Sequence, residues 1–131
     1  MNQRDVVFPA GRQALYDINH YSPAVRSNGL LFVSGQVGSR EDGSPEPSLE
    51  NQVRRAFANL QAILAAAGCS FADVQDVTLF IVDPQDKFQI IWDLVRAEFW
   101  GPAPYPTVTA VGVTWLYGFD FEIKVVARLP Q

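Results

Sequence analysis

The spacing of apolar residues changes along this chain, and the change constrains its fold more than any other feature. From Leu49 to Ala67 the apolar residues recur at three- and four-residue steps, which is the period of an amphipathic helix. Ser48 precedes the stretch as a candidate N-cap, and Gly68 follows it as a candidate terminator. The pattern therefore predicts one long helix in the first half of the chain.

A β-hairpin is predicted upstream of this helix. Asn28-Gly29 separates two short runs, residues 24–27 and 30–33, and supplies the two positive-φ positions that a tight type I′ turn requires. Residues 40–48 are polar and contain Pro and Gly, so they are expected to form a surface loop.

The second half of the chain repeats the alternation of strand and helix. Residues 77–82 form a continuous apolar run that predicts a buried strand. Asp83 and Pro84 then indicate a helix start, with Asp at the cap and Pro at the first helical position. Two closing strands are predicted over residues 107–115 and 119–128.

This order predicts one α+β domain spanning residues 1–131. Two helices can cover only one face of a sheet this apolar, so we expect a mixed β-sheet with both helices packed on one face. The other face is then expected to pack on neighbouring subunits.

Composition excludes several classes of function. The net charge is −4 and the basic residues are scattered, which argues against a nucleic-acid-binding surface. One cysteine (Cys69) and one histidine (His20) cannot form a disulfide or a nitrogen/sulfur metal cluster within one subunit. The first 13 residues contain no apolar core of signal-peptide length, and no run approaches membrane-spanning length. We therefore expect a cytoplasmic protein with no membrane contact, no metal and no cofactor.

Four segments in order resemble the RidA/YjgF family, also called the L-PSP endoribonuclease-like family. Between about Tyr21 and Leu129 they comprise residues 21–25 with 31–37 and their Ser-Gly-Gln turn, Gln52 with residues 59–68, residues 73–83, and residues 106–113 with 121–127. The resemblance implies a chorismate-mutase-like fold and a homotrimer with small-molecule clefts between subunits. It also implies hydrolysis of reactive enamines or imines to keto acids and ammonia.

The resemblance assigns roles to several residues. Glu122 matches the glutamate that positions or activates water, and Tyr21 matches a tyrosine of the cleft, so both are candidate catalytic residues. Ser34, Gly35 and Gln36 match the turn that lines the cleft. Further candidates for substrate binding are Phe88 on the second helix and residues of the penultimate strand: Thr107, Val108, Thr109 and Ala110.

One position departs from the family pattern. Where the family has an arginine that grips the substrate carboxylate, this chain has Val108, and a cysteine common nearby is replaced by Ala110. Valine cannot supply a two-pronged contact to a carboxylate. Unless Arg12, Arg26 or Arg96 reaches the cleft, small imino acids such as 2-iminobutanoate are expected to bind poorly.

Simpler interpretations compete with these roles. Glu122 could form an ion pair at an interface, Tyr21 could be a packed aromatic residue, and the threonines could be there only because they favour strands. The leading hypothesis is a deaminase-type hydrolase acting on a small C–N metabolite. A non-catalytic trimer that binds or senses a metabolite is the alternative, and a ribonuclease or translation inhibitor is least favoured.

Overall fold

The computed structural model describes residues 3–131, which form one mixed β-sheet and three α-helices. The elements in chain order are β1 (Asp5–Val7), α1 (Gln13–Asn19), β2 (Ala24–Ser27), β3 (Leu30–Val33), β4 (Gln36–Val37), α2 (Leu49–Ala66), a 3₁₀ turn (Phe71–Asp73), β5 (Val74–Val82), α3 (Pro84–Glu98), β6 (Thr107–Val113) and β7 (Phe121–Arg128). Within residues 3–131, no helix combines the length and the apolar character needed to cross a bilayer.

The sheet has the strand order β1-β2-β3-β7-β5-β6, and the short β4 pairs with the other end of β7. All pairs are antiparallel except β5 with β6, which are parallel and joined by α3. A parallel pair needs a crossover of this kind, because a tight turn can only reverse the chain direction. This mixed α+β sheet confirms the predicted fold class.

Helices α2 and α3 pack together on one face of the sheet, as predicted. Phe57 of α2 is fully buried, and its ring stacks on Phe99 after α3 at a centroid distance of 4.3 Å. Burial of one such side chain contributes about 1.5–3 kcal/mol. The alternate residues of β7 point into the same core: Phe121, Ile123, Val125 and Ala127.

The predicted hairpin and the predicted long helix, which is α2, are confirmed. Asn28 and Gly29 have φ values of 53° and 78°, as a type I′ turn requires, and strands β2 and β3 flank them. The Ser48 hydroxyl accepts a hydrogen bond of 3.1 Å from the Asn51 amide. Gly68 follows the last turn of α2 with φ 78°.

Other boundaries differ from the prediction. Asp83 is at the N-cap of α3 but has left-handed backbone geometry and makes no side-chain capping bond. Strand β5 begins at Val74, three residues earlier than expected, after the 3₁₀ turn. The last two strands are shorter than predicted, because Tyr117 and Gly118 adopt positive φ in the turn between them. The short helix α1 was not predicted, since its seven residues bury only Tyr16 and give no clear period.

The second face of the sheet is not covered by α2 or α3. Phe32 on β3 and Val111 on β6 are 43% and 37% exposed there, and Glu122, Lys124 and Val126 of β7 lie between their strands. We call this surface the open face. It carries the candidate site.

Candidate functional site

A cavity of about 1,270 Å³ lies against the open face, next to β7 and β3. Helix α1 contributes to one wall and the turn around Tyr117 to another. Of the predicted site residues, five line this one cavity: Tyr21, Ser34, Gly35, Gln36 and Glu122. Residues from distant parts of the sequence are therefore brought together in one chain, and their roles stay predictions.

Glu122 is placed in the cavity by the register of three strands. It lies opposite Phe80 of β5 and Val37 of β4, so the two-residue period of β7 directs it to the open face. Burial raises the pKa of the Glu122 carboxyl above its ordinary value, and the nearby Lys124 ammonium partly opposes this shift. A carboxyl with a raised pKa accepts a proton more readily.

Gly35 packs directly against the Glu122 carboxyl group. A Cβ added at position 35 would lie 2.5 Å from both Cδ and Oε2 of Glu122. Only glycine therefore lets the backbone approach the carboxyl this closely. The close contact fixes where the carboxyl can sit.

The turn before Gly35 is held by hydrogen bonds to the neighbouring segment. The Ser34 hydroxyl donates to the Ser22 carbonyl at 2.6 Å, and the Ser34 amide donates to the Pro23 carbonyl at 2.8 Å. Gln36 is buried, and its side-chain amide donates to the Ser34 carbonyl at 3.0 Å. Both polar side chains thus shape the turn that carries Gly35.

A polar cluster fixes the start of β7, close to Glu122. The Asp120 carboxylate accepts hydrogen bonds from Lys87 Nζ at 3.0 Å and Gln52 Nε2 at 3.2 Å. The Asp120 amide donates to Gln52 Oε1 at 2.9 Å. Helices α2 and α3 are therefore both tied to the end of the strand that carries Glu122.

Tyr21 lines the cavity with its ring packed edge-on against Tyr16 at a centroid distance of 4.9 Å. Burial, and then the neighbouring Tyr16, raise the pKa of the Tyr21 hydroxyl above its ordinary value. The phenol therefore stays protonated at neutral pH and can act as a hydrogen-bond donor.

Arg12 is the one of the three candidate arginines that lines the cavity. Arg26 pairs with Asp5 at 3.1 Å, and Arg96 pairs with Asp93 at 2.8 Å. Two further cationic residues of the cavity were not identified from the sequence, namely Arg4 and Lys124. Lys124 could have been found, since the two-residue period of β7 puts it on the same face as Glu122.

The cavity also has an aromatic lining that sequence reasoning did not identify. Besides Tyr21, it includes Tyr16, Phe32, Phe80, Tyr117 and Phe119. Together with Tyr21 these residues come from five separate segments, so no local pattern marks them as a group.

The candidates on β6 do not line this cavity. Val108 and Ala110 pair with Val77 and Leu79, and so lie on the helix-covered face, opposite to Glu122. A Cβ at Gly112, on the same side of β6, would lie 2.9 Å from Cγ of Pro84 in α3. Their predicted contribution to a cleft depends on a neighbouring chain and stays a prediction.

The remaining candidates lie elsewhere. Thr107 donates a hydrogen bond of 2.6 Å to the Asp76 carboxylate, and Thr109 lies on the open face opposite Thr78. Phe88 stacks on Trp92 and packs at the margin of the core. In residues 3–131 there is also no group of three or more His, Cys, Asp or Glu side chains placed to hold a metal ion.

Comparisons with known proteins point to one family. The sequence profile of the family described as Endoribonuclease L-PSP matches residues 11–129. The chain is 61% identical to the RutC family protein YjgH of Escherichia coli K12, over 100% of this chain and 99% of the relative. A solved structure of a protein named YjgH superposes with a TM-score of 0.92 at 61% identity, covering 99% of both chains. The chain is also 32% identical to a 2-iminobutanoate/2-iminopropanoate deaminase of Dermatophagoides farinae, over 76% of this chain and 77% of the relative.

Proposed function

Because this chain belongs to the Endoribonuclease L-PSP family, also called the RidA/YjgF family, we propose that it is a hydrolase that releases ammonia from a reactive enamine or imine. One relative is named as a deaminase of 2-imino acids, which supports this class of reaction. The observation that carries the proposal is the Glu122 carboxyl, which has a raised pKa and lies against Gly35 in a cavity that Tyr21 also lines.

The chemistry needs one base and one water molecule. The Glu122 carboxylate takes a proton from water while the water oxygen bonds to the carbon of the C=N group, whose π electrons move to nitrogen. Nitrogen is protonated, first from solvent or Tyr21 and then from Glu122. The C–N bond then breaks while the electron pair of the hydroxyl O–H bond forms the C=O bond, and the hydroxyl proton returns to solvent or Tyr21. Ammonia leaves, and a carbonyl compound and the Glu122 carboxylate remain. An enamine enters the same sequence after protonation at carbon gives the imine.

The surroundings of Glu122 suit this role. The Ser34–Gln36 turn holds Gly35 against the carboxyl, and the Tyr21 hydroxyl can donate to a substrate nitrogen or oxygen. Neither the Glu122 carboxyl nor the Tyr21 hydroxyl needs a metal ion to transfer a proton.

A homotrimer would complete the cavity. Large apolar side chains are exposed on the open face and along β6, including Phe32, Val108 and Val111. A surface with several exposed apolar side chains favours an interface between copies of the chain. In such a trimer Thr107, Val108, Thr109, Ala110 and Phe88 would reach the cleft from a neighbouring subunit.

The rival function is binding without catalysis. It is favoured by one observation: Val108 stands where the family has its carboxylate-gripping arginine. A chain that had lost turnover could keep the cavity for binding a metabolite. Ribonuclease activity is least favoured, because the net charge of −4 opposes binding to a polyanion.

The substitution Glu122→Gln tests the proposal. Imines would be generated from amino acids by an amino-acid oxidase in the assay mixture, and ammonia release would be followed over time. We expect the wild-type chain to accelerate release, and Glu122→Gln to lower the acceleration by about 10²–10⁴-fold, as for loss of a general base.

Glu50→Gln serves as the matched control, since Glu50 is exposed in the first turn of α2 and does not line the cavity. It should leave the rate unchanged. Equal rates for wild type and Glu122→Gln would contradict the mechanism. A wild-type chain that binds the carbonyl product and does not accelerate release would support the rival function.

A further inference from the structure

We propose that Arg12 is the anion-binding residue of this cavity and that its substrates are carboxylates with an aromatic or other large apolar group. This inference rests on the proposed function, since it names the substrate class of the same site. It moves carboxylate recognition from β6, where Val108 replaces the family arginine, to the segment before α1.

The Arg12 guanidinium is held in place by uncharged partners. Nη1 donates to the Ser39 hydroxyl at 2.9 Å, and Nη2 donates to the carbonyls of Ser39 at 3.0 Å and Arg40 at 3.3 Å. Ser39 is only 8% exposed, and Asn59 of α2 donates to its carbonyl at 3.2 Å. The cation is therefore positioned through Ser39 by the long helix, and its rotamer is fixed before a substrate arrives.

No carboxylate neutralises Arg12 within residues 3–131. Five of the ten basic residues form ion pairs there, and Arg12 is not among them. Its Nε–H also donates to no acceptor in this part of the chain. A guanidinium with a free donor and no counter-ion can donate a charge-assisted hydrogen bond to an anionic ligand.

The charge of the cavity is opposite to that of the whole protein. Arg4, Arg12 and Lys124 line it together with a single carboxylate, Glu122, which leaves the lining at +2 when that group is ionised. The chain as a whole carries −4. Positive charge gathered in a cleft of an acidic protein attracts small anions and does not exclude uncharged molecules.

The aromatic lining suggests what else the substrate carries. Tyr16, Tyr21, Phe32, Phe80 and Tyr117 offer ring faces and edges around the same cavity. Such groups bind planar or bulky apolar groups better than a short alkyl chain, because they bury more apolar area. A cavity of about 1,270 Å³ also has room for a group larger than the side chain of 2-iminobutanoate.

Calorimetric titration with two matched probes tests the inference. Phenylacetate carries the anion and the ring, and phenylacetamide carries the same ring with no charge. We expect wild type to bind phenylacetate about tenfold or more tightly than phenylacetamide. Arg12→Gln should remove that preference and leave phenylacetamide affinity unchanged, which also reports that the cavity is intact.

Three further variants make the result specific. Arg128→Gln removes the same charge outside the cavity lining and should bind both probes as wild type does. Arg12→Lys keeps the charge and should retain part of the preference. Glu122→Gln should bind phenylacetate at least as tightly as wild type, since it removes a like charge, even though its turnover is lowered.

Each alternative result has a defined meaning. The inference is overturned when Arg12→Gln binds phenylacetate within about twofold of wild type, or when only Arg4→Gln or Lys124→Gln abolishes the preference. Tighter binding of inorganic phosphate than of phenylacetate would overturn the carboxylate class. Because these are binding measurements, an intact preference with no ammonia release would refute only the catalytic proposal.

Discussion

The substitution Gly35→Ala isolates the position of the Glu122 carboxyl from the other properties of the cavity. A new Cβ would lie 2.5 Å from Glu122 Cδ, whereas ordinary contact begins at 3.4 Å. The carboxyl must therefore move by about 1 Å, and a displacement of that size can cost about 10²-fold in rate. This corresponds to about 2.7 kcal/mol of transition-state stabilisation.

The fold should tolerate the same substitution. The atoms that the methyl group meets are the end of a flexible side chain, and Gly35 does not adopt a positive φ. Restricting the unfolded chain contributes about 0.4–1 kcal/mol in favour of the variant, and a displaced Glu rotamer costs a similar amount. The melting temperature should therefore stay within roughly 5 °C of wild type.

Gly38→Ala is the matched control. A Cβ there would lie 2.5 Å from Gln52 Cα and would also contact the Gln52 carbonyl oxygen, and neither backbone atom of α2 can rotate away. We expect a loss of about 1–3 kcal/mol in the free energy of unfolding. The two variants thus separate loss of activity from loss of stability.

Thermal unfolding followed by circular dichroism and the ammonia-release assay measure the two effects. The reasoning is refuted if Gly35→Ala keeps its rate within about threefold of wild type while its melting temperature is unchanged. It is equally refuted if Gly35→Ala unfolds as easily as Gly38→Ala, because the Glu122 side chain would then not have yielded.

Two other predictions follow. The raised pKa of Glu122 means that the fold favours the neutral form of its carboxyl. The contribution of this group to the free energy of unfolding is therefore fully present below its ordinary pKa and is lost as the pH rises through its pKa in the folded protein. In urea unfolding, the free energy of unfolding of Glu122→Gln should therefore exceed that of wild type towards about pH 8 and show no such excess near about pH 4. A difference that is constant with pH would contradict the burial of Glu122. Sedimentation should give three times the chain mass, and Val111→Glu on the open face should lower it; a wild-type monomer would remove the basis for a cleft shared between chains.

Much of the fold could be predicted because its signals are local. The Asn28-Gly29 turn and the apolar stripe of α2 each lie within a short continuous stretch of sequence, and both are found where expected. The resemblance added the chorismate-mutase-like fold, which no local pattern reveals. Helix α1 was missed, since a helix of seven residues gives too short a period to detect.

The family pattern indicated site residues in the sequence but not their arrangement in space. Tyr21, Gly35 and Glu122 line one cavity, and their roles stay predictions. The choice of Arg12 over Arg26 and Arg96 could not be made from sequence, because it depends on which arginines find a carboxylate partner in three dimensions. The face on which Val108 lies likewise depends on its register against β5, which is a property of the folded sheet.

Two walls of the cavity, α1 and the turn around Tyr117, lie outside the sheet that holds Glu122. Helix α1 contributes one residue, Tyr16, to the buried apolar core, and the turn around Tyr117 contributes none. Evolution can therefore alter the length and side chains of these two segments at little thermodynamic risk to the scaffold. We expect changes in ligand preference within such a lineage to fall mainly in the segment before β2 and the segment before β7, with Glu122 and its strand left unchanged.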